Sequence, residues 1–491
     1  MNLGHKTAKA AIWAFFSTAG AKAITLIGLS ILARLLAPRE FGLLAFAMVY
    51  ITYVETIGDL GSGMALVYWP DRRNDAAQVT FAVNMVAGLF WCAATMLLAP
   101  FIAGFFHAAN GAPIVRVLAW SFILKYIGNA HDALAQKDLR FRARFLPDIG
   151  LATVSSVIAL VLAWQGFGAW SLVWGRLAGV TCRTLLLWIV VDWRPSVRNF
   201  PFDLVRPMLH YGRGLIVVNV LAAILYYSDL AIVGRFLGAT ALGLYQMASK
   251  LPETTVIVLL WVFSAVLFPA FARLHAEGED LRAPYLLATR YVSAITLPAA
   301  LGLSVLARPI VLLFFGDQWL PAAPILAALA IAAALRCLST HSGDVLKATG
   351  RAPLLARISL LKAFVIVPAL LIGARFDATA VAVSLAIAAG VTTLITLTIT
   401  SRYIGLRMRD MVSAFLPSAA AGVAMATVLL LWTRWSLRLP VVLQLAGGVL
   451  LGFCVYVAVL SMIDPELLGQ ARRFFLGNRR SPEEALRGAA G

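Results

Sequence analysis

The chain has 491 residues, 61% of them hydrophobic and 13% charged, with a mean hydropathy of +0.86 and a net charge of +18. Soluble globular domains carry about 25% charged residues, and a water-soluble domain of this composition would have nowhere to put its apolar surface. Apolar runs recur along nearly the whole length, so the class that remains is an all-α polytopic membrane protein with lipid as its solvent.

Taken in chain order, the apolar runs predict about fourteen transmembrane helices. They lie at 10–36, 41–68, 78–105, 112–134, 146–165, 168–191, 210–236, 240–271, 285–307, 322–346, 353–374, 378–400, 411–434 and 439–462. The first run, from Ala10 to Leu36, is too long for the apolar part of a signal peptide and lacks a clear cleavage site. Short turns such as Ala37-Pro38-Arg39-Glu40, Gln165-Gly166-Phe167-Gly168 and Gly238-Ala239-Thr240 join antiparallel neighbours. Beyond Asp464 the chain becomes polar and basic, and 463–491 reads as a cytoplasmic tail. Cys92, Cys182, Cys337 and Cys454 each stand alone in an apolar run and read as packing residues.

Basic residues fall into alternate loops. One set, including Arg72, Arg73, Lys137, Arg140 and Arg144, holds 26; the other, including Arg34, Arg39, Arg235 and Arg308, holds 7. Under the positive-inside rule this asymmetry puts both termini in the cytoplasm and requires an even number of spans. Nucleic-acid binding, the other source of a high isoelectric point, does not produce alternating rich and poor loops.

Two segments match at an offset of 201 residues: Arg34 with Arg235, Leu36 with Leu237, Gly42 with Gly243 and Leu43 with Leu244. Six spans separate the copies, so both face the same way. This predicts two pseudo-symmetric six-helix lobes, 1–200 and 201–400, followed by two further helices in 401–462. Solute sites in such folds lie between the lobes.

Three stretches carry a resemblance. The first is Ala33-Arg34-Leu35-Leu36-Ala37-Pro38-Arg39-Glu40-Phe41-Gly42, with Glu55 and Asp59-Leu60-Gly61 beyond it. The second is Gly243-Leu244-Tyr245 with Ala248-Ser249-Lys250-Leu251-Pro252. The third runs from Leu267-Phe268-Pro269 through Ala307-Arg308-Pro309 to Gly316-Asp317-Gln318-Trp319. Together they resemble the polysaccharide-transporter (PST) branch of the MOP exporters, the Wzx-type, colanic-acid-exporter-like flippases. Arg39 and Glu40 depart from the acidic residue more usual there before Phe-Gly. The resemblance implies a two-lobed, fourteen-helix fold and movement of a lipid-diphosphate-linked (polyprenyl-diphosphate) oligosaccharide across the bacterial inner membrane for polysaccharide biosynthesis. A polysaccharide polymerase and export machinery are the further partners implied.

Charges within spans are the candidate site. Each costs at least about 2.5–3.5 kcal/mol at mid-bilayer, so such groups face a cavity or a partner. Lys22, Arg116, Lys125, Arg176, Arg183, Arg336 and Lys362 are predicted to line a basic vestibule in which fixed cations replace the hydration of an anionic head group. The competing reading is structural pairing, for example of Lys22 with Glu55. Glu55, Asp59 and Asp229 are candidates for H+ or Na+ coupling or for structural ion pairs, and Lys250 with Glu253 for the latter. Arg34 and Arg235 would sit at an outer gate. His131-Asp132 and His341 with Asp344 have too few ligands for a metal and read as interfacial hydrogen bonding. Gly175 to Gly179 and Gly448 to Gly452 read as close helix packing.

No Walker loop, HExxH, GxSxG or dinucleotide-binding glycine pattern is present, so no enzyme class and no cofactor is indicated. A membrane polysaccharide polymerase or ligase would need a large extracytoplasmic loop, and the predicted outer loops are short. A MATE-like exporter of small cations would need an acidic, aromatic site rather than a basic one.

Overall fold

A computed structural model describes residues 20–467 apart from 109, 139 and 197–199. The basic tail from 468 onward and the first ten residues of the predicted first span lie outside the described residues. Every regular element among the described residues is helical. Among the described residues, eleven helices are long and apolar enough to cross a membrane. The predicted count of fourteen differs from this for identifiable reasons. One qualifying stretch, Val218–Ile257, covers two predicted spans. The predicted span at 112–134 is broken in two and carries too many polar side chains to qualify. The first span is only partly described.

The chain divides into two compact units, Met1–Gln246 and Met247–Gly491. The stretch 202–246 packs with what precedes it. Unit 1 holds α1 (20–35), α2 (Pro38–Gly58), α3 (Ser62–Tyr68), α4 (Arg73–Phe105), α5 (Ala112–Leu118), α6 (Trp120–Lys137), α7 (Phe141–Trp164), α8 (Ala169–Val190) and most of α9 (Phe202–Pro252). Pro38 opens α2 where its missing N–H costs nothing, and Glu40 Oε2 accepts from the Ala37 N–H at 2.8 Å. The α9 helix breaks at Gly238, whose φ of 81° and ψ of −179° reverse the chain without a loop.

Two close backbone approaches tie α9 to α2 and its C-terminal turn. A Cβ on Gly42 would stand 1.7 Å from the Ala239 carbonyl oxygen, and one on Gly243 would stand 2.0 Å from the Pro38 carbonyl oxygen. The pairs 38/239 and 42/243 are related by the 201-residue offset, so this is a pseudo-two-fold contact in which each copy of the hairpin offers a glycine to the other's carbonyl. At the other end of α2 a Cβ on Gly212 would meet the Leu60 carbonyl oxygen at 2.1 Å. These approaches hold 202–246 to unit 1. Within the unit, α7 and α8 pack through Gly175 and Gly179, whose Cβ positions are taken by the Ser155 carbonyl and hydroxyl oxygens at 2.7 and 1.9 Å.

Unit 2 contains α10 (Val258–Ala276), reached through a π-helical turn, then α11 (Arg282–Val305), α12 (Ala307–Phe314), α13 (Ala322–Leu338), α14 (Thr340–Ala348), α15 (Ala352–Gly373), α16 (Ala378–Ile404), α17 (Met408–Trp435) and α18 (Val441–Ile463). Asp377 caps α16 by accepting from the Ala380 N–H at 2.6 Å. Gly448 and Gly452 let α18 lie against Trp432 and Leu429 of α17. At the end of α18, Asp464 takes a two-pronged bond from Arg290 of α11 at 2.6 Å.

The glycine seam gives a direct test. Gly42→Ala and Gly243→Ala each force backbone apart and are expected to destabilise by about 1–3 kcal/mol. Gly104→Ala meets nothing within 4 Å and is expected to be silent. Thermal unfolding of the detergent-purified protein measures all three.

Candidate functional site

Unit 1 pairs two of the predicted vestibule cations, Lys125 and Arg183, with carboxylates. Lys125 Nζ lies 2.7 Å from Glu55 Oε2, joining α6 to α2. Lys125, and not Lys22, is therefore the ion-pair partner given to Glu55, because the α6 lysine reaches the same depth as the α2 carboxylate. Arg183 bridges Asp148 at 3.0 Å and Asp132 at 3.2 Å, and Arg144 closes on Asp132 at 2.8 Å. Four charges from α6, α7 and α8 thus form one chain, and Arg183 is engaged rather than open. Arg176 is half-buried on α8, with its Nε lacking a hydrogen-bond partner. Arg116 closes the short helix α5 and is exposed, outside any qualifying span. Lys22 lies on α1 and is itself engaged.

The remaining candidates separate by role. Asp59 Oδ1 accepts from the Gly61 N–H at 3.0 Å, so this carboxylate shapes the turn after α2. Asp229 accepts from the Leu230 N–H at 2.8 Å and from the Tyr245 hydroxyl at 3.1 Å. Lys250 and Glu253 pair at 3.0 Å one turn apart, half-exposed. Arg34 is exposed at the end of α1. Arg235 donates to the His107 ring at 2.7 Å and lies 5.1 Å over the Phe105 ring.

Unit 2 is arranged differently. Arg336 on α13 and Lys362 on α15 lie within electrostatic range of each other. Among the described residues Lys362 makes no ion pair or hydrogen bond. Two like charges held near each other in apolar helices form a place where an anion is stabilised. The histidines are packing groups. His131 Nε2 meets the Trp193 carbonyl oxygen at 3.1 Å beneath the Trp188 ring, and His341 Nε2 meets Thr289 Oγ1 at 2.8 Å. Asp344 is bound by Ser264 and lies 3.5 Å from Lys347.

Sequence reasoning missed two groups. One is the relay Asn129–Asn84–Ser62, with successive 2.9 Å bonds through α6, α4 and α3. The other is a set of tyrosines about Asp229. Its signal was present in the adjacent pair Tyr226-Tyr227, since a hydroxyl in a spanning helix needs a polar surrounding as an ion does.

The ion-pair chain predicts how unit 1 responds to mutation. Arg183→Ala leaves Asp148 and Asp132 short of a donor and should cost about 1.5–3 kcal/mol. Adding Asp148→Asn should restore part of that. A double-mutant cycle on thermal stability measures the coupling, and additive effects would show that the bond contributes nothing.

Comparison with known proteins places this architecture. A family model described as "Polysaccharide biosynthesis protein" matches residues 31–324. The lipopolysaccharide biosynthesis protein WzxC of Escherichia coli (strain K12) is 28% identical over 382 residues, 76% of each chain. The succinoglycan biosynthesis transport protein ExoT of Rhizobium meliloti (strain 1021) is 26% identical over 489 residues, 97% of each chain. Among solved structures, the lipid II flippase MurJ in an inward closed conformation superposes with a TM-score of 0.74 at 14% identity, over 93% of this chain and 100% of that one; at that identity the likeness is one of fold. The family match spans more than half of the sequence, and the chain belongs to the polysaccharide biosynthesis protein family.

Proposed function

We propose that this protein flips a lipid-diphosphate-linked oligosaccharide across the bacterial inner membrane by alternating access, supplying polysaccharide synthesis on the far side. The observation that carries the reading is the Arg336–Lys362 pair, two like charges on spanning helices with no carboxylate on Lys362 among the described residues. A diphosphate must leave water to cross, and an Arg–Lys pair replaces its hydration with charge-assisted hydrogen bonds. Family membership supports the reading. So do the roles by which the similar proteins are named: lipopolysaccharide biosynthesis for WzxC, succinoglycan transport for ExoT and lipid II flipping for MurJ. A MATE-like carrier of small cations fits an Arg–Lys pair poorly. The work is transport rather than catalysis, with a polymerase and export machinery as downstream partners.

Access would alternate at the two glycine approaches. The Gly42–Gly243 contact lies near Arg34 and Arg235, on the side the charge asymmetry assigns to the periplasm, and Gly61–Gly212 lies on the opposite side. Glu55, locked to Lys125, and Asp229 are the carboxylates available for H+ or Na+ coupling.

Two measurements test this reading. Cysteine labelling should find the Gly166–Phe167 turn outside and both termini inside; a periplasmic C-terminus would overturn the orientation. Lys362→Ala and Arg336→Ala should each cut export about ten-fold or more while folded protein stays in the membrane, with lipid-linked repeat units accumulating in the inner leaflet. Arg336→Lys should rescue only in part, since lysine lacks the planar fork.

A further inference from the structure

Between its two glycine approaches, unit 1 carries an aromatic and acidic group that the cationic site does not use. Tyr227 lies 15 residues after Gly212 and 11 before the break at Gly238, so it sits in the middle stretch of this arm, about 23 Å of helix from one end and about 17 Å from the other. Its ring meets Tyr53 of α2 edge-on, with centroids 6.4 Å apart. Tyr53 is within electrostatic reach of both Tyr227 and Asp229. Asp229 is oriented by the Tyr245 hydroxyl and the Leu230 N–H. Tyr226 is 52% exposed and Tyr227 36%. Tyrosine hydroxyls belong at membrane interfaces or against polar partners. Exposed tyrosines in a spanning helix beside a carboxylate call for a polar surrounding, which a substrate-filled space would supply.

We propose that Tyr53, Tyr226, Tyr227 and Asp229 form a subsite for the sugar rings of the lipid-linked glycan, distinct in chemistry from the Arg336–Lys362 pair. The inference rests on the transport reading above and adds where the carbohydrate is held. A pyranose presents a face of C–H groups and a rim of hydroxyls. The C–H face stacks on a tyrosine ring, whose electron-rich face attracts it. The rim donates to the Asp229 carboxylate, an acceptor-only group. A bare metal cation fits less well, because Asp229 already accepts two hydrogen bonds and the neighbouring groups offer ring faces more than oxygens. Rings also suit a carrier for varied glycans, since stacking reads the shape of a sugar more than the order of its hydroxyls.

The test compares two probes on the full-length protein in nanodiscs: undecaprenyl diphosphate and undecaprenyl-diphosphate-linked glucose. Wild-type protein is expected to bind both, the glycosylated lipid more tightly. Tyr227→Leu keeps the apolar bulk and removes the ring. It should weaken binding of the glycosylated lipid about five-fold and leave the bare diphosphate unchanged. Tyr227→Phe should bind both as wild type does, which also shows that the site still folds. Asp229→Asn should likewise weaken only the glycosylated lipid. Equal weakening of both probes by Tyr227→Leu, or no weakening of either, overturns the subsite. Wild-type protein that binds both lipids equally also overturns it, while the transport reading stands. Wild-type protein that binds neither lipid removes the transport reading and the subsite together.

Discussion

The rest of the structure depends on one constraint: an ionisable group in a spanning helix has to find its counter-charge within the protein. Unit 1 meets it by pairing. Glu55 holds Lys125, and Asp132 with Asp148 holds Arg183 and Arg144, so charges from α2, α6, α7 and α8 become cross-links between helices. Such bonds fix which face of each helix points inward, a choice that hydrophobic burial cannot make in lipid, where both faces of a helix meet apolar surroundings. Unit 2 meets the constraint at Arg290–Asp464, whereas Lys362, beside Arg336, has no carboxylate partner among the described residues. An unmet requirement of this kind is what a soluble anion or a lipid head group can satisfy.

The second organising element is duplication. Two copies of one hairpin, 201 residues apart, present glycine to each other's carbonyl oxygen, and neither contact tolerates a Cβ. A pseudo-two-fold axis makes such a contact economical, because one local sequence solves both halves of it. At both glycines the contact is backbone against backbone. Charged pairs cross-link α2, α6, α7 and α8, and backbone contacts join α2 to α9.

Much of this was legible in the chain. Apolar runs placed the helices, and the glycine in register with its copy pointed to the hairpin duplication. The spacing of Gly175 and Gly179 predicted the α7–α8 packing that is observed. The partners were not legible. Lys22 read as the partner for Glu55 and Lys125 as a vestibule cation, because composition gives the depth of a charge but not the azimuth of its helix. Arg183 read as an open cation for the same reason, its two carboxylates lying 35 and 51 residues away on other helices.

The Arg290–Asp464 bond has a practical bearing on how the chain can be cut or extended. Asp464 is 6% exposed and follows the last spanning helix directly, and Leu467 beyond it is packed against the same cluster as Leu460 and Tyr456. The folded body therefore extends past the final apolar residue of α18. A fusion partner or affinity tag joined at 463, where hydropathy alone would end the protein, would strip Arg290 of its carboxylate. Joined after 467, it would leave the last helix anchored.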